Sequence, residues 1–143
     1  MFEWLKDLLR PLRVSDRHFG QMRYLRQTAT WECLAEAAPP IGTVEVLIDA
    51  GENGPTAAQR SRWIELPRHF ERLAQEARIR IEPILAELEI ADFECTLAAV
   101  VLPADSDAAS GTGIELTFGD RAGPPQFDVT VRSWRLQDVI GPL

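Results

Sequence analysis

Lysine is almost missing from this chain: Lys6 is the only one, and the other basic residues are all arginine. That scarcity argues against lysine phosphate clamps and Schiff-base chemistry in the sheet-forming part of the sequence. Histidine and cysteine are nearly as rare, with only His18, His69, Cys33 and Cys95. These scattered residues make no C-x-x-C, no H-E-x-x-H and no clustered ligand set, so neither a structural zinc nor any other resident metal is expected. Both cysteines lie in apolar, strand-like runs and read as reduced core residues of a cytoplasmic protein, with a single bridge between them as the alternative.

Long apolar stretches are missing too. Nothing approaches the roughly 20 apolar residues of a membrane-spanning helix. The opening MFEWLKDLLRPLRV is interrupted by Glu3 and Asp7 and lacks a small-residue cleavage site, so it does not read as a signal peptide. No serine sits in a G-x-S-x-G elbow, and GTG at 111–113 has neither the spacing nor the lysine of a phosphate loop. DAGENG at 49–54 fails as a calcium loop, because its third and twelfth positions are Gly51 and Arg60. DSD at 105–107 reads as part of a solvated, small-residue acidic loop. No cofactor is expected.

What remains is an ordinary globular composition, 45% hydrophobic and 26% charged. At 143 residues the chain fits one domain that buries about 70% of its unfolded surface. Charge is uneven within it. Residues 1–80 carry 12 basic against 11 acidic side chains, whereas residues 81–143 carry 3 against 11. An acidic C-terminal half repels phosphate backbones and favours a basic partner. The basic residues of the central helix alternate with glutamates, so no nucleic-acid face forms there.

Periodicity supplies the elements. Residues 1–12 place Phe2, Leu5, Leu9 and Leu12 on one stripe of a short amphipathic helix. Residues 16–49 read as three strands ending in TVEVLID, where Val44, Val46 and Ile48 alternate with Glu45, Leu47 and Asp49. A long helix over 56–89 opens on a Thr56/Gln59 capping box and carries Trp63, Leu66, Phe70, Leu73, Ala77, Ile81, Leu85 and Leu88 on one side. Pro67 and Pro83 are where it is expected to bend. Residues 95–135 read as three further strands. The expected fold is a single α+β domain over 1–143: one antiparallel sheet of about six strands, the long bent helix on one face, and the short N-terminal helix.

Candidate site residues follow from strand ends and turns. Asp16 precedes Phe19-Gly20 at the offset that lets a carboxylate hold a turn while glycine takes an unusual backbone angle. Trp31-Glu32 sets an aromatic beside a carboxylate, with core packing as the plainer role for Trp31. Glu32, Asp49 and Glu52 lie near strand ends that would have to converge to make an acid and base pair. Asp105, Asp107 and Asp120 are the acidic positions offered to a basic partner. No catalytic set is identified.

The order Asp-x-x-Phe-Gly, Trp-Glu, VEVLID, a long helix after a Gly-Pro break and a late IELTF strand resembles a group of small bacterial domains of unknown function. Some of these lie near toxin genes and are regarded as immunity proteins. The resemblance spans most of residues 16–132 and carries no catalytic residues over to this chain; Cys33 stands where members often have glycine. The reading is a non-catalytic interaction module of a bacterial cytoplasm, immunity-like, with its acidic half facing a basic protein. Two alternatives stand beside it: a small enzyme or small-molecule binder using the strand-end carboxylates, and a homodimer built on the N-terminal helix. Neither nucleic acid nor membrane is an expected partner.

Overall fold

The computed structural model describes residues 12–104, 113–119 and 123–143. Within them the TVEVLID run lies in β4 (Gly42–Asp49), near the middle of an eight-stranded sheet whose spatial order is its sequence order. Before it come β1 (Arg13–Asp16), β2 (Gly20–Leu25) and β3 (Thr30–Ala37); after it come β5 (Leu97–Leu102), β6 (Gly113–Gly119), β7 (Gln126–Arg132) and β8 (Arg135–Ile140). A single helix, α1 (Ala57–Glu87), joins β4 to β5.

The alternation in each strand selects its buried face. Trp31, Cys33 and Ala35 of β3 pair with Ile48, Val46 and Val44 of β4. Val100 and Leu102 continue these rows on β5, followed by Leu116 on β6 and Val129 on β7. All are buried, and Trp63, Leu66, Leu73, Ala77 and Ile81 of α1 join them in one core. Phe70 and Leu85 lie at its margin, while Leu88, at the C-cap, is half exposed.

The start of α1 is fixed twice. Thr56 accepts from the Gln59 N–H at 3.1 Å and its own N–H reaches the Gln59 Oε1 at 3.0 Å, closing the capping box. The Gln59 amide then donates inward to the carbonyls of Asp49 (2.8 Å), Pro103 (3.0 Å) and Leu102 (3.3 Å). Arg62 adds bonds to the carbonyls of Gly113 and Pro103. The helix therefore begins over the C-terminal ends of β4 and β5. It reaches β8 further along, where Arg72 donates to the Trp134 carbonyl and Arg80 to that of Gln137.

That path corrects the expected sheet. A 31-residue helix is about 46 Å long, so it carries the chain from one end of the strands to the other. β5 must then run the same way as β4, and the two pair in parallel, Val46 beside Val100. The sheet is mixed, with eight strands in place of six antiparallel ones. The first half holds four strands because β1 pairs with β2 ahead of the Asp16 turn. The second half holds four because β7 turns back into β8 through Ser133-Trp134, both at positive φ (50° and 59°). Such a two-residue turn is normally signalled by Asn or Gly, and neither is present. α1 is one continuous helix with Pro67 and Pro83 inside it. The N-terminal helix expected over 1–12 falls outside the described residues apart from Leu12. That residue is not helical, and its carbonyl accepts the Tyr24 N–H.

Candidate functional site: the sheet face opposite the helix

The Asp16 turn is built by one carboxylate. Its Oδ1 accepts from the N–H groups of His18 (2.8 Å) and Phe19 (3.2 Å), and its Oδ2 receives Arg60 of α1 at 2.8 Å. Gly20 follows at φ 72°, and Phe19 is fully buried with its ring 5.8 Å from that of Trp63. Burial works to raise the Asp16 pKa, but the Arg60 and backbone bonds more than offset it and hold the carboxyl below its usual value. These contacts pin β1 and β2 to the helix.

Trp31 and Glu32 point to opposite faces. Trp31 is fully buried, its ring tilted against that of Tyr24 at 4.8 Å, and its Nε1 donates to the Gly51 carbonyl at 2.9 Å. Glu32 faces out and pairs with Arg23. Asp49 accepts from the Thr30 hydroxyl at 3.4 Å, and Glu52 pairs with Arg26. The three carboxylates are thus held by three different partners. Asp105, Asp107 and Asp120 lie outside the described residues.

The described residues contain no group of three or more His, Cys, Asp or Glu that could hold a metal. Both cysteines are free. Burial, with Asp16 and Glu32 nearby, pushes the Cys33 thiol up to about 12. Burial also raises Cys95, against the opposing pull of Arg78. Neither is a ready nucleophile at neutral pH. An open cleft of about 680 Å³ lies at the end of the sheet between residues 92–94 and 96–98 and Gly119, Pro124 and Pro125. Asp92 and Glu94 bring carboxylates to it, but no histidine or cysteine lines it.

The feature that gathers the most chemistry is the face of the sheet opposite α1. Strand register sets its outward side chains in rows. One row runs Glu32, Leu47, Val101, Glu115 across β3 to β6. The next runs Glu45, Ala99, Thr117, Asp128 across β4 to β7. Each row places two uncharged side chains between two carboxylates. Leu47, Ala99 and Val101 are half-buried by their neighbours and absent from the core, and Leu34, beside Glu45, is 63% exposed. Glu115 is exposed, yet local burial together with Asp128 and Asp49 raises its pKa. Among the described residues no helix covers this face.

Of the residues singled out in the sequence, Glu32 lies in these rows, and Asp49 follows Leu47 on the same face of β4. Glu45, Leu47, Ala99, Val101, Glu115, Thr117 and Asp128 were not singled out. Their signal was present as the second half of each alternation, read for its buried face and not for the face it leaves outside. Strand neighbours were needed to join them into rows.

No family model matches the chain, and no curated protein or solved structure is significantly similar to it. No helix among the described residues is long and apolar enough to cross a membrane.

Proposed function

We propose that this chain is a non-catalytic protein-interaction module whose partner surface is the sheet face opposite α1, and that the partner is basic. The observation that carries the reading is the pair of rows in which carboxylates flank an uncharged centre: Glu32 and Glu115 around Leu47 and Val101, Glu45 and Asp128 around Ala99 and Thr117. An apolar centre supplies contact area, while carboxylates at its borders steer a cationic surface and fix its placement. The net charge of −7 acts in the same direction at longer range. In the immunity-like form of this reading, the face masks a basic surface of a toxin. The charges of Asp105, Asp107 and Asp120 would then add to long-range attraction.

The test is affinity capture from a bacterial lysate with the wild-type chain and with Val101→Asp as bait, at low and high salt. A stoichiometric partner captured by wild type, weakened by salt and lost with Val101→Asp, supports the reading. The same proteins on both baits would remove it.

A further inference from the structure

The face opposite α1, which no helix covers among the described residues, restricts what can sit on it. Every central strand already spends its backbone groups on its two neighbours, so the face offers side chains alone. An occupant must satisfy its own backbone hydrogen bonds, which a helix does and an extended peptide does not. In each row the carboxylates stand three strand spacings apart, about 14 Å, which matches a helix about 10–12 Å across with its flanking side chains. From one row to the next the carboxylate positions shift by one strand, from β3 and β6 to β4 and β7, so the uncharged track runs obliquely to the strands. Along one border, Glu32 and Glu45 are one strand and two residues apart, about 8 Å on the diagonal, which long Arg or Lys side chains at helix positions i and i+4, about 6 Å apart, can span.

We propose that the occupant of this track is an amphipathic helix of a partner protein, with an apolar stripe bordered on each side by Arg or Lys at i and i+4. The apolar stripe lies over Leu47, Val101, Ala99 and Thr117. Basic residues on one flank face Glu32 and Glu45, and those on the other face Glu115 and Asp128. Arg23 against Glu32 shows how a guanidinium is held at this border. Burial, with Asp128 and Asp49 nearby, raises the Glu115 pKa, and a cation placed among the three carboxylates would oppose that rise. This inference rests on the partner surface proposed above and adds the shape and charge pattern of what binds there.

The probe is a synthetic helical peptide with a Leu/Ala stripe and Lys at i and i+4 on both flanks. Its control has the same composition, with the lysines moved to the face opposite the stripe. Binding to the full chain is followed by fluorescence anisotropy. The flanked peptide should bind at least about tenfold more tightly than its control, and weaken about tenfold as salt rises. Val101→Asp is the decisive variant, because it makes the protein more acidic. Helix docking predicts a loss of about tenfold or more, whereas non-specific attraction to a negative protein predicts tighter binding. Should Val101→Asp fail to fold by circular dichroism, Thr117→Asp, which also adds a negative charge to the track, replaces it, with the same loss expected. Equal affinity for the two peptides, or no loss with the variants, overturns the proposal. Self-association of the full chain that these variants abolish would make a second copy the occupant and overturn it as well. A lysate partner lost with Val101→Asp, combined with no preference for the flanked peptide, would sink the helix while leaving the interaction surface in place.

Discussion

Asp16 shows how one side chain ties sequence to tertiary structure. Its carboxylate closes a turn through two backbone N–H groups and binds Arg60 of the helix. Because its folded pKa lies below the ordinary 3.8, the stabilisation is complete above that value and is lost as pH falls through the lower folded pKa. Asp16→Asn keeps the shape but loses the charge, and should cost about 1–2 kcal/mol at neutral pH. Urea melts as a function of pH should show the gap to wild type closing below 3.8. Glu115 has the opposite sign. Its raised pKa means that folding is favoured below the ordinary 4.5 and loses ground as pH rises through the folded value. Glu115→Gln should therefore match wild type in acid and exceed it in thermal stability at neutral pH. Cys33, pushed to about 12 by burial, should stay unmodified by a thiol reagent in native protein and react once denatured. Peptide mass mapping of the labelled chain reads this directly. The Asp-x-x-Phe-Gly spacing made the turn legible in the sequence; the Arg60 bond, 44 positions away, was not, because no local pattern encodes it.

At the level of elements, the β7–β8 turn and the root of α1 decide the architecture. Ser133 and Trp134 occupy the left-handed region without being glycine or asparagine. Trp134 is held there by stacking on His69 at 4.3 Å, by its Nε1 donating to Glu65 at 3.2 Å and by Arg72 on its carbonyl. The two positions should respond oppositely to the same substitution. Ser133→Gly relieves the backbone and should gain about 0.5–1 kcal/mol, whereas Trp134→Gly gives up its ring contacts and should lose about 2 kcal/mol. Denaturant midpoints of the two variants make the comparison. The turn was hidden in the sequence because tertiary contacts, and not residue propensity, hold its backbone. Gln59 was legible as half of a capping box, and its second role was not. Its buried amide bonds carbonyls at the ends of β4 and β5, so Gln59→Leu leaves buried acceptors unpaired and should cost on the order of 3 kcal/mol in urea.

For the whole molecule, the asymmetry between the two sheet faces sets the character of the protein. One face is sealed by α1; the other carries uncharged side chains between carboxylates. Salt should therefore act on association far more than on folding. The helix–sheet core is apolar, while a partner on the proposed surface would be held through exposed charges that ions screen within about 10 Å at moderate ionic strength. Thermal melts and partner affinity measured over one salt series separate the two effects.

The sequence by itself determined the strands with clean alternation, the capped start of the helix, its buried stripe and the excess of acidic side chains. These are local, written in period two, period 3.6 and composition. Only the tertiary structure decided that β4 and β5 run parallel, that edge strands extend both halves, and that Glu32, Glu45, Glu115 and Asp128 border one track. The parallel pair follows from the direction in which a long helix carries the chain. The track follows from strand register, which places residues as distant as Glu32 and Glu115 in one row. Neither property belongs to any single segment.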